Sequence, residues 1–166
     1  MADVRILVFA MLLAACAREP TPAEKAAQDA RDIAEVEAVQ KIKPPPQPIA
    51  PEAILFPDIQ QYDLFGAGCA FAPGGSIGAV MLSREKVAWM KLEGRLVRFA
   101  SDPGSAALPL GTWSRYAGKE WALALTRTEG EGEASGSESR QWPGRLVVTD
   151  AFGQAVFEAA GLVQCG

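Results

Sequence analysis

Three cysteines, Cys16, Cys69 and Cys165, are the only thiols in a chain of 166 residues that contains no histidine. A thiol can be acylated or oxidised to a disulfide, and as a thiolate it can act as nucleophile or metal ligand. The last two uses commonly draw on histidine, as the general base of Ser-His-Asp and Cys-His systems or beside cysteine in zinc sites. Neither Cys69 nor Cys165 sits in Cys-x-x-Cys, the spacing of a redox-active pair. Carboxylates offer another route to catalysis, since a suitably spaced pair can cleave glycosides. Asp102, Glu120, Asp150 and Glu158 fall near the ends of predicted strands, and each reads as surface charge. Gly66-x-Gly68 lacks a third glycine and precedes a cysteine-bearing apolar stretch rather than a helix. It is therefore no dinucleotide fingerprint, and no P-loop Gly-Lys-Ser/Thr occurs. The sequence predicts no catalytic residue, no cofactor and no metal.

Binding chemistry is better represented. Between Gly111 and Trp121, Trp113, Ser114, Arg115, Tyr116 and Lys119 gather around one predicted turn. Aromatic residues and arginine dominate binding hot spots, so these five are the candidate partner-binding residues. The alternative is that Trp113 and Trp121 are core or barrel-end aromatics, with Arg115 and Lys119 solvated at a hairpin. A formal charge of −4 without a basic cluster excludes nucleic acid as the expected partner.

The elements that must position these residues begin with a leader. Arg5 is followed by the apolar run Ile6-Leu7-Val8-Phe9-Ala10-Met11-Leu12 and then Leu13-Ala14-Ala15-Cys16. A charged start, a short apolar stretch and small residues before a cut make a secretory signal. About ten residues of helix reach only about 15 Å, half of a bilayer core. The Leu-Ala-Ala-Cys tetrad resembles the lipobox of bacterial lipoproteins. That resemblance implies a diacylglycerol on the Cys16 thiol, cleavage just before it, and acylation of the new amine, with acyl chains such as palmitate holding the protein at a membrane. Two or more chains give stable anchoring, each buried methylene contributing about 0.8 kcal/mol. An Asp after the Cys tends to retain Gram-negative members at the inner membrane. Ala17 stands there, which implies the outer membrane; it does not name the leaflet, and a periplasm-facing protein is a separate expectation.

With Cys16 acylated, Cys69 and Cys165 remain in an oxidising compartment and pair in only one way, so a disulfide between them is expected. Two buried free thiols are the alternative. Thr21-Pro22-Ala23-Glu24 is a capping box with Pro at the first helical position, and the Ala-, Glu-, Lys- and Gln-rich segment to about Lys43 continues as helix. Pro44-Pro45-Pro46-Gln47-Pro48, Pro51 and Pro57 favour an extended tether. Beyond it, short apolar runs recur between turn residues, the clearest being Trp121, Leu123 and Leu125 alternating with Ala122, Ala124 and Thr126. The acidic run Glu129–Ser139 reads as a mobile hairpin connection. The expected organisation is a signal over 1–15, an acylated N-terminus and stalk helix over 16–43, a Pro-rich linker over 44–57 and a β-domain over 58–166. That domain is expected to be mainly β, a small antiparallel barrel or sandwich of about eight strands.

The segment around Ser114 and Tyr116 is also similar, over about ten residues, to the Ser-Gly-x-x-Tyr stretch of the C-type lysozyme inhibitor lipoproteins, although Arg115 stands where that stretch has Gly. In that family of small periplasmic β-barrels a loop Ser and a following Lys enter the lysozyme cleft. Ser114, Tyr116 and Lys119 are the nearest matches. The expected function is thus a non-catalytic, lipid-anchored periplasmic lipoprotein whose β-domain binds an envelope protein or peptidoglycan, or alternatively an inhibitor of a lysozyme-type lytic enzyme.

Overall fold

The computed structural model describes residues 20–40, 42–74, 76 and 78–166; Cys16 and the predicted signal lie outside them. The chain divides into two units, residues 1–44 and 45–166. In the first, helix α1 runs Pro22–Gln40. Its start is the expected capping box: the Glu24 carboxylate accepts the Thr21 N–H at 2.7 Å, and the Glu24 N–H donates back to the Thr21 hydroxyl at 3.3 Å. The helix stops short of Lys43, because the residue before a proline is pushed out of the α region. Its larger apolar residues, Ile33, Val36 and Val39, are exposed. No described helix is long and apolar enough to cross a membrane.

The second unit is a closed antiparallel barrel. Its strands are β1 (Cys69–Pro73), β2 (Met81–Ser83), β3 (Val87–Leu92), β4 (Arg95–Ser101), β5 (Arg115–Ala117), β6 (Ala122–Arg127), β7 (Glu133–Ala134), β8 (Arg140–Thr149) and β9 (Ala155–Cys165). β6 pairs with β8 and β9 with β1, so eight strands form the ring and β7 is an extra strand on the side of β8. Alternation dictates what points inward. Leu123 and Leu125 on β6 and Leu146 and Val148 on β8 are buried, while their neighbours in sequence are not, and Ala88 and Met90 on β3 are buried with them. Phe71, Met81, Met90 and Phe99 complete an interior filled by side chains. Each such side chain contributes about 1.5–3 kcal/mol by leaving water.

Two features close the ring. Gly68 and Gly166 exchange both N–H···O bonds, each 3.0 Å. The next pair, Cys69 and Cys165, is therefore a non-hydrogen-bonded pair, the kind whose side chains approach most closely. It forms the expected disulfide, across 96 residues of sequence. Further along, Gly144 on β8 lies opposite Gly161 on β9. A β-carbon at Gly161 would overlap the Ala72 carbonyl, and one at Gly144 the Thr126 carbonyl, so the strands coil closely only without side chains there.

The expected linker over 44–57 is corrected in part. From Ile49 the chain is hydrogen-bonded to the barrel: Ile49 N–H to the Val156 carbonyl, Glu52 to Lys91, and Ile54 to Ala79, at 3.1, 2.8 and 2.8 Å. This strap crosses the mouth opposite the disulfide. It then continues into a short helix, α2 (Phe56–Gln61), laid over the outside of β1–β4. There Ile54 and Leu64 bury Leu82, with Ala70, Trp89 and Leu96 packed alongside. Asp58 fixes the helix: its carboxylate accepts the Leu55 N–H at 2.8 Å and pairs with Lys91 at 2.8 and 3.0 Å. Because β2 is covered on both faces, Met81, Leu82 and Ser83 are all buried and no alternation survives in that strand.

The acidic run 129–139 also differs from a free connection. β7 pairs Glu133 with Gln141 and Ala134 with Arg140. The Trp142 indole N–H donates to the Gly130 carbonyl at 3.0 Å, and the Arg127 guanidinium lies 4.4 Å from the Trp142 ring centroid. A cation held over an indole face is attracted by the ring quadrupole, which helps hold the loop down.

Candidate binding groove

With the interior packed, a ligand has to meet the barrel from outside. A concavity of the second unit lies at the mouth opposite the disulfide. It is a groove of about 870 Å³ between the strap Pro48–Glu52, the first half of β4, and the turn joining β5 to β6. Leu92, Leu96, Val97, Ile49 and the half-buried Trp121 supply apolar surface. The turn is closed by the Gly118 N–H donating to the Trp121 carbonyl at 2.8 Å, and Trp121 packs against the barrel core where it lines the groove. Aromatic surface of this kind beside cations is the composition of a binding hot spot.

The charges around the groove are not equivalent. Glu52 is engaged by the Gly94 N–H at 2.8 Å, and Glu93 pairs with Arg95 at 3.4 Å. That pair is solvent-exposed and contributes little. Arg98, Lys119 and Glu120 have no ion-pair or side-chain hydrogen-bond partner among the described residues. Two free cations and one free carboxylate thus line the groove with its apolar residues.

The predicted binding residues do not share one turn. Strand β5 intervenes, leaving Trp113 and Ser114 before it and Lys119 after it. Lys119 is exposed in the groove. Arg115 is exposed outside it, and its N–H donates to the Ser105 hydroxyl at 3.1 Å. Ser114 is half-buried, its backbone bonded to Ala106 and Leu125. The Trp113 indole donates to the Glu85 carbonyl at 3.0 Å. Tyr116 is 1% exposed and is a core residue: its hydroxyl accepts the Trp113 N–H at 2.9 Å and donates to the Arg84 carbonyl at 2.8 Å. Burial raises its pKa above the ordinary phenol value, against the hydrogen bonds that would lower it. Beside it, burial lowers the Arg84 guanidinium, whose N–H groups bond the Ser83 and Leu64 carbonyls at 2.9 and 2.7 Å. Arg84 ties the α2 segment to the β2–β3 turn.

The carboxylates serve locally. Asp102 caps Gly104, Asp150 accepts the Phe152 and Gln154 N–H groups in the β8–β9 turn, and Glu158 pairs with Arg145. Sequence reasoning missed Arg98 and the strap as groove elements. The available signal was Arg95 in the inward register of Val97 and Phe99, a charge that can only sit where the interior opens to water. No family model, curated protein or solved structure matches the chain.

Proposed function

We propose that this protein is a lipoprotein anchored through Cys16 to the outer membrane and facing the periplasm. Its barrel serves as a non-catalytic binding module for an envelope protein or cell-wall component. The observation that carries the binding role is the groove, lined by apolar residues including Trp121 and by the unpaired cations Arg98 and Lys119, on a barrel whose interior holds only its own side chains. The anchor rests on Leu13-Ala14-Ala15-Cys16 and the apolar run before it. Cys16→Ser is expected to abolish acyl labelling and release the protein from membranes; unchanged retention would overturn the anchor. For the module, Arg98→Glu with Lys119→Glu is expected to lose whatever partner the wild type retains from gently solubilised envelopes.

One observation favours a second reading, inhibition of a lysozyme-type enzyme: Lys119 is exposed on a tight turn next to Trp121. On that reading the protein slows lysozyme turnover and Lys119→Glu restores it. Undiminished turnover for every lysozyme tested would dismiss it.

A further inference from the structure

The groove is also a gap in the barrel wall. β4 pairs with β3 from Arg95 to Ala100, but with β5 only at Ala100↔Ala117 and Ser101↔Tyr116. Strand polarity decides where the remaining backbone groups of β4 point. The Ser101 N–H bonds Lys86, on the β3 side, and the Asp102 N–H bonds Arg115, on the β5 side. Successive residues of a strand alternate in this respect, so the N–H and C=O of Leu96 and Arg98 face the gap. They have no partner among the described residues. The chain cannot fill the gap itself, because β5 ends at Ala117 and the Gly118–Trp121 turn reverses direction there.

An unpaired strand edge is a template for another strand. We propose that the β4 edge over Arg95–Arg98 receives an extended acidic peptide segment of a partner protein by strand addition. The proposal rests on the binding-module reading and names the partner's chemistry at that site. A run of about four residues spans about 13 Å and would satisfy the free groups of Leu96 and Arg98. Its inward side chains would lie beside Val97 and Trp121, and its outward ones beside Arg98, with Lys119 across the gap. Main-chain bonding supplies affinity in this mode, and alternate side chains supply specificity. Arg98 and Lys119, partly offset by the unpaired Glu120, favour carboxylates over basic side chains.

The test uses full-length protein and a display library of random decapeptides, with the tightest selected peptide as the probe. Acidic residues at alternate positions are expected among the selected sequences. Saturation with the probe is expected to slow amide hydrogen exchange at Leu96 and Arg98 at least tenfold. Arg98→Gln removes the charge and keeps the N–H, so binding should weaken a few-fold. Arg98→Pro removes an N–H that the β3 ladder does not use, at an edge position where proline is tolerated, and should weaken binding tenfold or more. If Arg98→Pro loses its near-UV circular dichroism, the exchange measurement on the wild type decides. Peptides that bind with no change in exchange at Leu96 and Arg98 would overturn strand addition and leave the binding module standing. No enrichment over the Arg98→Glu, Lys119→Glu protein would overturn it too. The module itself fails only if that double variant also retains every envelope component held by the wild type.

Discussion

Removing the Cys69–Cys165 bond isolates one term in this fold. The bond joins β1 to β9 at the disulfide end, with 96 residues between its cysteines. Cross-linking a loop of that length removes about 16 cal/mol/K from the unfolded chain, which is about 4.7 kcal/mol at 25 °C. The unit that melts is roughly 120 residues, with an unfolding entropy of about 0.25 kcal/mol/K near 60 °C. Dividing one by the other gives a fall in Tm of roughly 15–20 °C. Thermal melts followed by near-UV circular dichroism, with and without reductant, measure this directly. The double variant Cys69→Ala, Cys165→Ala should fall by at least as much, since both side chains are buried and their packing is lost as well. A shift below about 5 °C on complete reduction would refute the reasoning. It would mean that the unfolded chain is already restrained, or that the β1–β9 ladder closes the barrel without help.

Four further outcomes follow from particular contacts. Tyr116→Phe strands the Trp113 N–H and the Arg84 carbonyl and should destabilise by about 1–3 kcal/mol, read by urea denaturation. Because burial raises the folded-state pKa of Tyr116, the stability from its neutral form is complete below the unfolded value of about 10 and declines as pH rises through the folded value; Tyr116→Phe should remove that alkaline loss. Asp58 titrates below its ordinary value of 3.8, chiefly through its hydrogen bond from Lys91. Its contribution is therefore present above that pH and lost as pH falls through the lowered folded value, and Asp58→Asn should flatten the acid limb while exposing the surface under α2 to proteolysis. Gly161→Ala drives a methyl group into the Ala72 carbonyl and should cost about 1–3 kcal/mol, whereas Gly153→Ala, at a turn with open space around it but a positive φ, should cost less; paired denaturation curves check the difference.

How much of this was legible in the sequence depended on how local the cause was. The α1 cap lies within four residues, and Thr21 and Glu24 announce it. Leu123 and Leu125 against Ala122 and Ala124 gave β6, because one face of that strand is solvated enough for alternation to survive. The disulfide followed from counting thiols. The prolines of the strap signal a tether, while Ile49 and Ile54 are held to the barrel only by bonds to residues 25 to more than 100 positions away. β2 was blurred for the same reason, since α2 buries its outer face. Tyr116 looked like a binding residue because a tyrosine carries no mark of whether its hydroxyl meets water or the Arg84 carbonyl. The groove needed the register of β4 against β5, a non-local quantity that composition does not encode; only Arg95 in an inward position hinted at an opening.

The central claim is that this protein binds its partner through the groove at the barrel mouth. It is tested most directly by solubilising envelopes gently and recovering full-length acylated protein, as wild type and as the Arg98→Glu, Lys119→Glu variant, with bound proteins and glycan identified by mass spectrometry. The expected result is a component held in fixed ratio by the wild type and absent from the variant, while both retain acyl chains and the same melting curve. A component held equally by both, or one lost only when Pro22–Gln40 is deleted, would contradict the assignment and move the binding surface to another face or to the helix.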